Sequence, residues 1–426
     1  VNGNFTLANV PVGQNIPLVI QVGKWRHATT VTTQSCQDNP QAVGTTDLNA
    51  TAAGPDDNIP DIAVSTGNAD TLECLMKRIG LPDTEYVAGS GTSGHVHIFS
   101  GGQMGGGGGG GVGNAEAHAM AGAPASSASL WDSVSDLMNY DILLLSCEGG
   151  ETYKANPSNL EQYLNAGGRA FASHYHYAWF SNNLSSNQGY AAPADWGANL
   201  ATWTPGANGG SGPDDGVIDQ TLNVGGGTFA KGQLFDQWLG VVGALGPQAG
   251  VTSTAGVPAA DLAIFAPRLN AQVGAANAPS QPWITETSTQ GGGGGGGTGG
   301  CYGRYCPDGG GGGGGGGGTD WTMYFSFDTP VNAAVPADGG APAYCGRAVF
   351  SDLHVSGCAN PGSCNNGFAS GMDSANATGG SPPPTGCASG DLSPQEKALE
   401  FMLFDLSSCV ISDRVTPPTM VPTVVN

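Results

Sequence analysis

Three segments share one grammar: a short apolar strand running directly into a cluster of polar, potentially reactive side chains. They are 141–148 (DILLLSCE), 169–176 (RAFASHYH) and 347–354 (RAVFSDLH). Unbroken apolar runs of this length suit strands covered on both faces of a sheet. In an open α/β sheet, ligands and chemistry gather beyond the carboxyl ends of the strands. If the three strands are parallel neighbours, Cys147, Glu148, His174, His176 and His354 converge there.

The spacing between such strands predicts helices. Asp70–Glu73 (DTLE) reads as a capping box opening a helix whose apolar face is Leu72, Leu75, Met76 and Ile79, with Gly80 ending it. Ser158–Glu161 (SNLE) reads as a second box, with Leu160, Tyr163 and Leu164 inward and Gly167-Gly168 closing the helix. Ser393–Glu396 (SPQE) caps a final helix with core face Leu399, Met402, Leu403 and Leu406, its Pro at the favoured first position. Strands Ile59–Ser65, Tyr86-Val87 and His95–Phe99 complete a βαβ rhythm. The expected fold class is therefore α/β, a doubly wound and mainly parallel sheet.

The organisation expected is fourfold. Residues 1–35 read as β-sandwich-type strands. Residues 36–180 together with 321–413 form the α/β domain, and 181–320 a loop-rich, irregular insertion. Residues 414–426 are an extended Pro/Thr/Val-rich tail. Runs of glycine at 105–111, 291–297 and 309–318 read as tethers unless packing or another subunit orders them.

Composition excludes some functions. The chain of 426 residues carries 12 basic against 34 acidic side chains, a net charge of −22. That balance argues against nucleic acid, whose phosphates need Lys and Arg. No run of 18 apolar residues is present, so membrane insertion is not expected. Low charge, abundant small polar residues and ten cysteines favour an extracellular or cell-surface location, with any signal peptide removed. Cys36, Cys74, Cys301, Cys306, Cys345, Cys358, Cys364, Cys387 and Cys409 are disulfide candidates of unspecified pairing, and no CxxC pair marks a zinc knuckle. Cys147, at a strand end in the crevice, is either paired or a free thiol.

For chemistry, Glu148, His174 and His354 are the catalytic candidates. His174, His176, His354 and Glu148 are candidate ligands for a divalent metal, calcium or zinc. A His-x-His pair kept in a strand points both imidazoles to one face. The competing reading is a set of hydrogen-bonded structural histidines, or a rim contacting sugar. His95 and His97 form a second His-x-His, while His27 and His118 stand alone. Acidic clusters Asp56-Asp57-Asp61 and Asp214-Asp215-Asp219 are calcium candidates by their oxygen ligands. Trp196, Trp203, Trp238 and Trp283 are either sugar-stacking or core residues.

Segments 59–180 and 321–410 resemble the class I glutamine-amidotransferase-like fold in its trehalose-utilisation (ThuA-like) branch. The likeness rests on Tyr140-Asp141 before a strand, on Gly167-Gly168 through His174, and on Gly346-Arg347 through His354. The first residues (NGNFTLANVPVGQNIPLVIQVGKW) resemble the last strands of the carboxypeptidase regulatory-like sandwich. With LSPQEKALEFMLFDLSSC, the whole is similar to an uncharacterised family of secreted bacterial proteins. Working amidotransferases of that fold place a nucleophilic Cys after the strand ending here in Ser173-His174, and no Cys stands there. The late strand also lacks their His-x-Glu. Ser173 with His354 as base is a minor alternative without a Gly-x-Ser-x-Gly elbow. The resemblance thus implies a catalytically degenerate scaffold, a structural or binding protein that self-associates or meets another cell-surface protein or a glycan. The alternative is a metal-assisted hydrolase or carbohydrate-active protein at the His/Glu crevice.

Overall fold

In the computed structural model, residues 5–52, 54, 57–67, 70–101, 119–151, 156–185, 191–206, 214–247, 256–265, 267–288, 319–334, 342–355, 383–385, 387, 391–411 and 413 are described. The chain opens with β1 (Gly13–Val22) and β2 (Trp25–Thr33), an antiparallel pair forming a sheet of its own. It is seated on the rest of the molecule by Trp25, whose ring lies 6.1 Å from Phe404 and whose indole N–H donates to Ser407 Oγ at 3.1 Å.

The βαβ rhythm follows: β3 (Ile62–Ser65), α1 (Leu72–Arg78), β4 (Tyr86–Ala88), β5 (Val96–Phe99), α2 (Ser126–Ser129), α3 (Val134–Leu137), β6 (Ile142–Leu145), α4 (Ser158–Asn165) and β7 (Arg169–Ser173). After β8 (Thr202–Trp203) come β9 (Asp214–Ile218), α5 (Ala230–Val241), β10 (Leu262–Ile264), β11 (Ala271–Gln272), β12 (Ser280–Ser288) and β13 (Thr319–Thr329). The last elements are β14 (Gly346–Ser351) and α6 (Pro394–Ser407).

Ten of these strands form one mixed sheet in the order β10-β9-β12-β13-β14-β7-β6-β3-β5-β4. From β14 to β4 every pairing is parallel, and from β14 to β10 every pairing is antiparallel. Within the parallel half the chain runs from β3 to the edge strand β4, comes back to β5 beside β3, then crosses to the other side of β3 for β6, β7 and β14. The order reverses between β3 and β6, where an open α/β sheet leaves its ligand crevice.

Both faces are covered, as the apolar strands require. Ile62, Val64, Ile142 and Leu144 pack with Leu72, Leu75 and Met76 of α1 and with Leu399, Met402 and Leu406 of α6. The alternate residues, Ala63, Leu143, Leu145, Ala170 and Ala172, pack with Leu160, Tyr163 and Leu164 of α4 and with Trp179 and Trp196. The period-two alternation of the strands thus divides one sequence into two cores.

The segment 181–320 does not stand apart. Its β9, β10 and β12 extend the main sheet, and β8 pairs with β11 beside it. Trp196 and Trp203 are buried in the second core and Trp283 in the first, with Trp238 packed at the edge of the first. The glycine runs and the tail 414–426 lie outside the described residues.

Of the three expected capping boxes only the last forms. Ser393 Oγ accepts the N–H of Glu396, and the Glu396 carboxylate accepts the N–H of Ser393. α4 begins after Pro157 and α1 after Thr71, neither with a side-chain cap. Ser158 lies inside its helix, and Asp70 serves elsewhere.

Candidate functional site

The in-register parallel pairing of β6, β7 and β14 aligns the three polar tips. Leu145 stands beside Ala172, and Ser173 beside Ser351. Beyond these positions the chain delivers Cys147 and Glu148 from β6, His174 from β7, and Asp352 and His354 from β14. All five are buried, at no more than 2 % exposure. Backbones approach closely here. A Cβ on Gly67 would lie 2.2 Å from the Cys147 carbonyl oxygen, and one on Gly101 1.8 Å from that of Thr66. Only glycine fits either place.

Cys147, His174 and His354 converge, each offering one donor atom within 4.8 Å of the others. Cys147 Sγ is 3.3 Å from His174 Nδ1. The rings of His174 and His354 meet edge to face, 5.0 Å apart at 85°. His174 has a left-handed backbone, φ 42°, and opens the 3-10 turn His174–Trp179 directly after β7. That turn ends the strand alternation. It aims His174 at the sulfur and sends His176 elsewhere.

Burial pushes the Cys147 thiol up to about 12, and the Asp70 carboxylate adds to this. The backbone N–H groups of Tyr175 and Gly149, hydrogen-bonded to the sulfur, act in the opposite direction. Burial holds His174 well below the usual imidazole range, helped by His354 and Arg268. Burial likewise lowers His354, against the pull of Asp70. The trio is therefore a neutral thiol with two neutral imidazoles. A nucleophilic cysteine needs the thiolate and a cationic partner. Metal ligation needs neutral imidazole nitrogen and a sulfur whose proton the metal displaces. The second description fits these residues.

The remaining expected site residues are spread more widely. His176 is fully engaged, Nε2 with the Ser146 carbonyl at 2.9 Å and Nδ1 with the Trp179 indole N–H at 3.2 Å. It therefore stands as a structural histidine. The side chain of Glu148 lies against Gly101 rather than in the Cys/His/His group. His95 is paired with Glu85, and His97 Nδ1 stands 2.9 Å from the Gly89 carbonyl oxygen. Asp57 is saturated by His27, Asn49 and the N–H groups of Ala28 and Gly54, and the His27 contact leads in holding it down to about 2. Asp214 and Asp215, adjacent in β9, face opposite sides of the sheet. No calcium-type carboxylate group occurs among the described residues. His118, Asp56, Cys301, Cys306, Cys358 and Cys364 lie outside them.

Among the described residues one disulfide is present, Cys74–Cys387, joining α1 to the segment before α6. Cys36, Cys345 and Cys409 carry none among the described residues, and Cys147 is a free, buried thiol. The disulfide is compatible with an oxidising, extracellular setting. No helix of the described residues is long and apolar enough to cross a membrane.

One participant escaped sequence reasoning. Asp70 accepts the Ser173 hydroxyl at Oδ2, 2.6 Å, and the same oxygen lies 3.4 Å from His354 Nδ1. Its place before an apolar run spoke only for a helix cap. Cys147 was placed in the crevice by its strand, but not among the candidate ligands; amidotransferases carry their thiol after the strand corresponding to β7, whereas here the neighbouring strand β6 supplies it. The hollow that the resemblance left without a thiol holds one. A cavity of about 310 Å³ lies at the opposite, amino-terminal ends of the strands, lined by Lys24, Arg26, Asp61, His95 and Asp141. Its Lys24–Asp141 ion pair leaves it remote from this chemistry. No family model, no curated protein and no solved structure matches the chain.

Proposed function

We propose that the crevice is a mononuclear transition-metal centre ligated by Cys147, His174 and His354, and that the chain is a metal-assisted hydrolase. The observation that carries the reading is the convergence of one thiol and two imidazoles within 4.8 Å beyond the carboxyl ends of the adjacent parallel strands β6, β7 and β14. Sulfur and imidazole nitrogen select zinc or a similar borderline ion over calcium, which takes oxygen ligands. Of the two metals expected from sequence, zinc is therefore the one this donor set favours.

Three protein ligands leave one tetrahedral position, the pattern of catalytic rather than structural zinc. Bound there, such an ion supplies Lewis acidity at that position. The order of the parallel strands and the Gly346-Arg347 strand ending near His354 support an amidotransferase-like scaffold. The chemistry differs from that of its working members in using the sulfur as ligand rather than nucleophile. The thiol supplied by β6 bears on one support of the scaffold reading, the missing nucleophile, and leaves its other supports, the acidic composition and the N-terminal β strands, as they were.

Elemental analysis of the native protein, with p-nitrophenyl acetate as the hydrolysis probe, tests this. The expected result is about one zinc per chain and probe hydrolysis abolished by chelation, by Cys147→Ser and by His354→Ala. Metal bound without chelator-sensitive hydrolysis removes the enzyme, and absence of metal removes the centre.

A further inference from the structure

The crevice holds a carboxylate that none of the three donors requires as a ligand. Asp70 is fully buried, and so are Ser173 and His354. Its Oδ2 accepts the Ser173 hydroxyl at 2.6 Å and stands 3.4 Å from His354 Nδ1. Ser173 Oγ in turn accepts the backbone N–H of Cys147 at 2.9 Å. One carboxylate oxygen therefore reaches the imidazole donor directly and the amide of the thiol donor through a single hydroxyl.

Asp70 stands two residues before α1, whose N-cap residue is Thr71. A buried charge is costly unless matched. A divalent ion with one thiolate and two neutral imidazoles carries a net charge of about +1, and a carboxylate against one imidazole cancels it. At His174, Nδ1 faces the sulfur and the buried Nε2 makes no hydrogen bond among the described residues, while the Asp70–His354 contact is an ion-pair distance of 3.4 Å.

We infer that Asp70 is the positioning carboxylate of this centre. It holds His354 as the Nδ1–H tautomer, so that Nε2 is the donor, and through Ser173 it sets the position of the Cys147 backbone. Metal-bound histidines ordinarily donate their second N–H to such a group, and its loss weakens metal binding roughly 10–100-fold. The inference rests on the metal reading above.

The test is zinc affinity, measured by competition with a chromogenic chelator, for the wild type, Asp70→Asn and Ser173→Ala. Asp70→Asn is expected to bind zinc roughly 10–100-fold more weakly, with Ser173→Ala in between and Asp70→Glu recovering part of the loss. Circular dichroism of the metal-free proteins checks folding. The second measurement needs no variant: long-range nitrogen-proton NMR of the zinc-loaded wild type should show His354 bound through Nε2 and protonated at Nδ1. If the wild type takes up no zinc, the metal reading itself fails. If the wild type binds zinc and Asp70→Asn binds it equally well, or His354 is bound through Nδ1, the positioning role is overturned while the centre stands.

Discussion

His174 carries the strain of the site. A left-handed backbone costs an ordinary L-residue roughly 1–2 kcal/mol, and here it follows a strand without a glycine to absorb it. What the turn gains is aim: the imidazole reaches the Cys147 sulfur, which a continued strand would not allow. For the same reason the His-x-His pattern of 174 and 176 misleads. Alternation places both rings on one face only while the chain remains extended, and the 3-10 turn separates them. His174→Gly should therefore be more stable than His174→Ala by about 1 kcal/mol, since glycine accepts positive φ freely, although both lose the donor. Urea denaturation of the two metal-free variants checks this; equal stability would place the strain elsewhere.

At the level of elements, the far end of β14 is governed by charge. Arg347, buried at 1 % exposure, pairs with Asp328 of β13 at 2.7 Å, Asp405 of α6 at 2.8 Å and Asp413 at 2.9 Å. Lys231 of α5 joins Asp405 at 2.9 Å. Burial opposes the Arg347 charge, but the surrounding carboxylates outweigh it and hold the guanidinium well above its usual range. Two cations and three carboxylates thus fasten α5 and α6 to the sheet. The Gly346-Arg347 start of the strand was legible; its reason was not, because the partners are 19 and 58 residues away in Asp328 and Asp405. Arg347→Met leaves three carboxylates with Lys231 as their one remaining cation in the network and should cost about 3–5 kcal/mol, read as a shift in the urea midpoint; a loss below 1 kcal/mol would show the network to be dispensable. Capping signals failed in the opposite direction. Ser393 caps as its local sequence says, whereas Asp70 is claimed by contacts with residues about a hundred or more positions later. Local patterns predict local bonds only where no tertiary demand competes.

Across the whole molecule, the parallel half was readable because its strands are short, wholly apolar and spaced by helices. The antiparallel half was readable only in pieces. Leu262–Phe265, Trp283–Thr287 and the alternating Trp321–Phe327 read as strands, but β9 and the joining of β9, β10 and β12 to the main sheet did not, because their order comes from sheet neighbours. Likewise an even cysteine count pointed to disulfides without choosing Cys74 and Cys387, which lie 313 residues apart. The site shows the same division: the converging strand tips, Cys147 among them, were foreseen, while the carboxylate of Asp70 beside them depends on which strands adjoin. X-ray absorption at the zinc edge on the zinc-loaded protein tests that convergence most directly. The account predicts one sulfur scatterer near 2.3 Å and at least two imidazole nitrogens near 2.0 Å. A shell of oxygen and nitrogen alone, or zinc that washes away without a defined shell, would contradict it.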